Sequence, residues 1–195
     1  MAIDQVIARL RRAMLLDTTA FEEARDDVAF TPYALAALAI AVLIAGFGAF
    51  LWSETAVDGA PDGWFADTFI LGSIFTFILF LAGIGVTYVM LTQVYKASAA
   101  PDAVARVVCV GYLPFAIGAL VLIPEIGFAF GLLSIASMFY LTVVGIRAAF
   151  PDVKELQALI STSAGFAVWA IILLLISNNS GDSFATGIFV YGLFD

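Results

Sequence analysis

Residues 28–53 read VAFTPYALAALAIAVLIAGFGAFLWS, 26 consecutive positions without a charged side chain. The hydrocarbon core of a bilayer is about 30 Å thick, so a helix needs about 20 apolar residues to cross it. This stretch predicts a transmembrane helix. Four more uncharged runs follow: Thr68–Tyr95 with 28 residues, Val107–Pro124 with 18, Ile126–Ile146 with 21 and Leu156–Gly181 with 26. All five qualify as spans, the third barely. The 12 residues Ser183–Phe194 are apolar but too short to cross, and read as a segment lying on or dipping into the membrane face.

Composition agrees with this reading. Of 195 residues, 63% are hydrophobic and 12% charged, with a mean hydropathy of +1.07. A soluble domain is nearer half apolar and a quarter charged. The expected fold is all-α: an integral membrane bundle of five transmembrane helices with an N-terminal amphipathic interfacial helix. The expected divisions are a cytoplasmic amphipathic segment over 1–31, a transmembrane domain over 32–177 and a short external apolar tail over 178–195. Cys109 is the only cysteine, which excludes a disulfide scaffold. The absence of histidine removes the commonest metal and general-base side chain. A net charge of −8 argues against nucleic acid as a partner. No cofactor and no metal site are expected.

Prolines punctuate the chain where spans should begin: Pro32, Pro61, Pro101, Pro124 and Pro151. Four are followed at once by an acid, namely Asp62, Asp102, Glu125 and Asp152. Proline is tolerated in a first helical turn, and a carboxylate there suits the positive end of the helix dipole. All 8 basic residues fall on one side of the expected bundle: Arg9, Arg11, Arg12 and Arg25 before the first span, Lys96 and Arg106 between the second and third, Arg147 and Lys154 between the fourth and fifth. The positive-inside rule then puts the N-terminus in the cytoplasm and the C-terminus outside, in a bacterial cytoplasmic membrane. No cleavable signal peptide is expected, because the N-terminus lacks a continuous apolar core. The outer acids Glu54, Asp58, Asp62, Asp67, Glu125, Asp182 and Asp195 are spread over three segments and suggest a solubilising face.

In the N-terminal segment Ile3, Val6, Ile7, Leu10 and Met14 recur at helical spacing, with Asp4, Gln5, Arg9, Arg11 and Arg12 on other faces. Such a helix lies on anionic headgroups or packs on the protein's own loops. Thr19 with Glu22 three residues on predicts a capping box opening a second short helix. Candidate lipid-headgroup contacts are Arg9, Arg11, Arg12, Arg106 and Arg147; Arg106 and Arg147 also have Asp102 and Asp152 within reach, and snorkelling is their most ordinary role.

No Asp, Glu, Lys, Arg or His is expected deep inside any of the five spans, which counts against a proton-coupled transporter, a pump or a charge-selective pore. Hydroxyls such as Ser73, Thr76, Thr87, Ser134, Thr142, Ser161 and Thr162 are expected to bond helix backbones. Ala37, Ala41 and Ala45, and the pair Gly127 and Gly131, have the spacing of close helix packing. In the third span Gly111, Tyr112 and Pro114 fall within one turn. Pro114 cannot donate to the carbonyl of Val110, so a kink is expected there. Cys109 reads as a small apolar filler.

Several of these features together resemble the Yip family of Ypt-interacting membrane proteins, most of all its small bacterial members. They are Phe21-Glu22-Glu23 and Asp26-Asp27 ahead of the first span, Arg106 followed by Gly111-Tyr112 and Pro114 in the third, the turn Pro124-Glu125-Ile126-Gly127, and Arg147-Ala148-Ala149-Phe150 closing the fourth. The resemblance covers about residues 3–176. It implies a five-helix, non-enzymatic membrane protein; its eukaryotic members bind small GTPases of the Ypt/Rab type and one another in vesicle traffic. This chain lacks their Asp-Leu-Tyr-Gly-Pro motif and has only a short cytoplasmic tail, which puts GTPase binding in doubt.

The expected function is that of a scaffold that organises membrane or holds partners through its helix faces, with membrane lipids and other membrane proteins, or further copies of itself, as partners. The sequence leaves two alternatives. One is an accessory subunit of a larger bioenergetic complex. The other is a transporter or channel for a neutral or lipidic solute built around the Pro114 kink, which would need a polar cavity through the bundle.

Overall fold

A computed structural model describes residues 2–56, 65–123 and 125–179. The expected tail from residue 180 onward, Pro61 and Pro124 lie outside the described residues. Among those described there is no strand, and five helices are long and apolar enough to cross a membrane. The chain is a polytopic, all-α membrane protein.

Two short amphipathic helices come first, α1 (Ile3–Met14) and α2 (Thr18–Asp26). The start of α2 corrects the expected capping box. Asp17 is the cap, its carboxylate accepting from the backbone N–H of Thr19 at 3.1 Å and from the Thr19 hydroxyl at 2.7 Å. Asp17 sits just before the first turn, where its carboxylate reaches the free donors, and Thr19 falls inside the helix. Asp27 repeats the device, accepting from the N–H of Ala29 at 3.1 Å. It turns the chain through Val28–Phe30 directly into α3 (Thr31–Ala56), the first span.

The second span is α4 (Gly72–Val89), flanked by the wider π-helical turns Phe65–Leu71 and Met90–Val94. The third changes helix type. Its first half, α5 (Pro101–Gly111), is regular; after Tyr112 the chain continues as a 3₁₀ helix, Leu113–Leu122. The third span thus begins earlier than its uncharged run, because Asp102 and Arg106 are helical and within it. A 3₁₀ helix rises about 2.0 Å per residue rather than about 1.5 Å, which lengthens the reach of the distal half. Runs this long are uncommon, and the neighbours compensate: the Ser134 hydroxyl donates to the carbonyls of Pro114 and Phe115, both at 3.2 Å. The fourth and fifth spans are α6 (Gly127–Ala149) and α7 (Glu155–Asn179).

The third span is the hub. In its most apolar stretch 61% of residues are buried, against 33–44% in the other four. The first and fourth spans flank it, and the second pairs with the fifth. Glycine permits the tightest crossings. A Cβ on Gly83 of α4 would lie 2.6 Å from the carbonyl oxygen of Gly165 on α7, and one on Gly165 would lie 2.5 Å from that of Gly83. Beside them the Thr87 hydroxyl bonds the carbonyl oxygens of Gly83 at 3.0 Å and Ser161 at 3.3 Å. Edge-to-face rings fill the centre: Phe80 meets Tyr112 and Phe115, each at 4.9 Å, and lies 5.8 Å from Trp169. The outer surface carries exposed Ile40, Phe47, Ile74, Ile78, Leu132 and Ile171, a face suited to acyl chains and costly in water.

Candidate functional site

The polar chemistry of the described residues concentrates at one end, where α1 and α2 form a layer over the start of α5, the end of α6 and the turn that leads into α3. α2 is the inner member. Ala20, Phe21 and Ala24 are fully buried, and Phe21 enters a slot on α6 left by Gly145, where a Cβ would lie 2.6 Å from the ring. The C-terminal carbonyls of α2 would be orphans in this buried setting. Arg106 meets them. Its Nε donates to the carbonyl of Ala24 at 2.7 Å and its Nη2 to that of Arg25 at 2.5 Å. Its Nη1 donates to Asp102 at 2.7 Å and to the Thr31 hydroxyl at 2.9 Å. One guanidinium therefore joins α2, α5 and the first residue of α3. Arg25 makes the reciprocal connection, donating to the last α6 carbonyl, Ala149, at 2.5 Å while pairing with Asp26 at 2.7 Å.

α1 is the outer member and is held by charges. Arg9 pairs with Asp27 at 3.0 Å and Glu23 at 3.3 Å, and lies 4.7 Å above the centre of the Phe30 ring. Arg12 pairs with Asp17 and Glu23, both at 2.8 Å, and donates to the Thr19 hydroxyl at 2.7 Å. Between the helices Gln5, Ala8, Arg9, Arg12, Glu23 and Asp27 line an open cleft of about 420 Å³. The Arg12 guanidinium holds the Glu23 and Asp17 carboxyls below the usual carboxylate range, with the Thr19 hydroxyl assisting at Asp17. Arg25 does the same to Asp26. Hydrogen bonding to Glu23 and then Asp17 raises Arg12, and hydrogen bonding to Asp26 raises Arg25.

The five arginines expected at lipid headgroups divide accordingly. Arg106 is 2% exposed and cannot snorkel; the reading fails because the helix starts at Pro101 and carries Arg106 inside the bundle. Arg9 and Arg12 are turned to the acids of α2. Arg147 pairs with Glu155 at 3.1 Å on the surface. Arg11 is exposed and, among the described residues, has no acidic partner.

The third-span residues lie together at the change of helix type. A Cβ on Gly111 would lie 2.7 Å from the Cα of Thr142 on α6. Tyr112 is buried against Phe80, and Pro114 and Cys109 are buried. Ala41, Ala45, Gly127 and Gly131 are buried and Ala37 half-buried, so these small residues face their own bundle. Arg25 and Gly145 also build this arrangement without a signal in the sequence, whereas Asp102, within reach of Arg106, and Ser134, a hydroxyl expected to bond a helix backbone, are legible there. Only the Asp102–Arg106 pair, four apart on one helix, left a signal in spacing. Compared with known proteins, the chain matches no family model, no curated protein and no solved structure.

Proposed function

We propose that this chain is a non-enzymatic, Yip-like scaffold of a bacterial cytoplasmic membrane, holding partner membrane proteins or further copies of itself through its lipid-facing helix surfaces. The observation that carries the reading is the packed aromatic hub. Phe80, Tyr112, Phe115 and Trp169 occupy the place where a transporter would need a polar path. The third span is committed to holding its neighbours, and the outward apolar faces remain for partners and lipid. Its Yip-like residues favour the same reading in structural terms: Arg106 ties the N-terminal layer to the bundle, and Gly111, Tyr112 and Pro114 sit where the span changes pitch.

The orientation belongs to this proposal. The basic residues gather at the α1–α2 end, where the loop before α5 meets the loop before α7 through a 2.8 Å bond from Ser98 N–H to Asp152. The positive-inside rule favours the cytoplasm for that end. Extraction in mild detergent, with mass spectrometry of what stays bound, tests the function. A defined partner or a stable oligomer is expected. A protein that always runs alone as a monomer overturns the scaffold.

A further inference from the structure

α1 spends only part of its surface on the protein. Val6 and Ala13 are buried against the layer, and Arg9 and Arg12 face the acids of α2. The opposite side stays open: Ile3 is 61% exposed, Ile7 57% and Leu15 71%, with Met14 and Leu16 exposed beside them. Arg11 shares this stripe, four residues after Ile7 and eight after Ile3.

We propose that α1 lies in the plane of the bilayer surface on this stripe, with Ile3, Ile7, Met14, Leu15 and Leu16 in the acyl boundary and Arg11 against the phosphates of anionic phospholipid. Depth is the first argument. Arg9 stacks on Phe30, and Phe30 ends the turn immediately before α3 begins at Thr31. The middle of α1 is thus level with the first turn of the first span, where hydrocarbon gives way to headgroups. Val28, at the same level, is also exposed and apolar, so the stripe continues the lipid-facing belt.

The end of α1 is the second argument. Leu16 N–H bonds the carbonyl of Ala13 at 2.9 Å and Asp17 N–H that of Arg12 at 3.0 Å. This closure normally places glycine at the left-handed position. Leu16 occupies it with φ of 63°. A strained leucine beside a fully presented Leu15 makes an apolar tip that water does not favour and an acyl boundary does. Charge is the third argument: the other α1 arginines are neutralised by acids, and the one without a partner is on the apolar stripe. This inference goes beyond the scaffold reading and stands without it.

The test uses the full chain in phosphatidylcholine vesicles with and without phosphatidylglycerol. Nitroxide labels are placed singly through Ile7→Cys, Leu15→Cys and, on the cleft side, Gln5→Cys. Each is made in a Cys109→Ala background and again with the buried Cys109 retained, so a folding defect of one background does not decide the result. At 7 and 15, collision with oxygen is expected to exceed collision with a water-soluble nickel chelate severalfold, with the order reversed at 5. Equal nickel access at 7 and 5 overturns the proposal. Shielding at 7 from both reagents also overturns it, since a second copy or a partner protein then covers the stripe. Phosphatidylglycerol is expected to deepen the label at 7, and Arg11→Gln to abolish that increment. No effect of phosphatidylglycerol on the chain with Arg11 intact overturns the phosphate contact.

Discussion

The two short helices of the polar layer are built from similar residues and held in different ways. α2 is gripped where water is absent: Phe21 fills the Gly145 slot, and Arg106 satisfies the carbonyls of Ala24 and Arg25. α1 buries only Val6, Ala13 and most of Arg9, and the rest of its hold lies where water reaches. Arg12, Asp17 and Glu23 are each about two-fifths exposed at the side chain. Ion pairs in water contribute little, because solvent already stabilises both partners. A buried guanidinium is different: remove it, and the Ala24 carbonyl loses its donor where water does not reach, with the part-buried Arg25 carbonyl beside it. α2 is thus part of the bundle, and α1 is an attachment to it.

Arg106→Ala strikes that contrast hardest. It leaves the two α2 carbonyls without their donor, while Asp102, about half exposed, can turn to water; unsatisfied acceptors in such a setting cost about 1–3 kcal/mol each. Unfolding in mixed micelles by a denaturing detergent should show a loss of that size, with proteolysis newly admitted near Arg25. A loss below about 1 kcal/mol would place Arg106 among the surface pairs. Arg106→Lys keeps the charge but not the planar fork, so it should fall between the two.

Gly83→Val should come next. Its side chain meets the Gly165 backbone on α7, and overpacking costs about 1–3 kcal/mol. Gly85→Ala, two residues along the same helix, is the matched control. A Cβ at Gly85 meets nothing within 4 Å, so alanine there should be neutral or stabilise by about 0.5–1 kcal/mol through backbone entropy. Similar losses from the two substitutions would mean that the α4–α7 crossing is not the tight one.

Sequence and structure agree most where one physical term dominates. Lipid solvates apolar side chains and punishes bare backbone, so five uncharged runs forecast five helices. Pro114 predicts a kink because a missing N–H acts locally, and the structure has a change of helix type beside it, from α to 3₁₀ after Tyr112. Other features are relational. Nothing in the sequence near Gly145 says that Phe21, over a hundred residues earlier, will occupy its surface. Nothing near Ser134 says that its hydroxyl will serve carbonyls of the 3₁₀ turn. The place of Arg106 is hidden for a related reason: a charge at the edge of an apolar run resembles a snorkelling anchor, and only the helix start at Pro101 and the docked α2 end put it inside the bundle. The α1 arginines look alike in sequence, and only the positions of Asp17, Glu23 and Asp27 separate Arg9 and Arg12 from Arg11.

Acid should separate the two helices with the smallest perturbation. Asp17 and Glu23 are held below their ordinary values, near about 4, by bonds from Arg12. A carboxylate depressed in the folded state contributes stability that is fully present above its unfolded value and lost as the pH falls through the folded one. The charge attachment of α1 is therefore intact at neutral pH and lost only below the ordinary carboxylate range. Asp102 on Arg106 and Asp26 on Arg25 also titrate, but the bonds of Arg106 to the Ala24 and Arg25 carbonyls have acceptors that do not, and Phe21 in its slot carries no charge. In detergent micelles, with no lipid surface for α1, acidification should lengthen a spin-label distance between α1 and α2 before it changes one between α2 and α6. Salt at neutral pH should produce a weaker change of the same kind, because the α1 pairs are screened and the buried set is not. If both distances move together, α1 and α2 form one unit, and the distinction between attachment and bundle is lost.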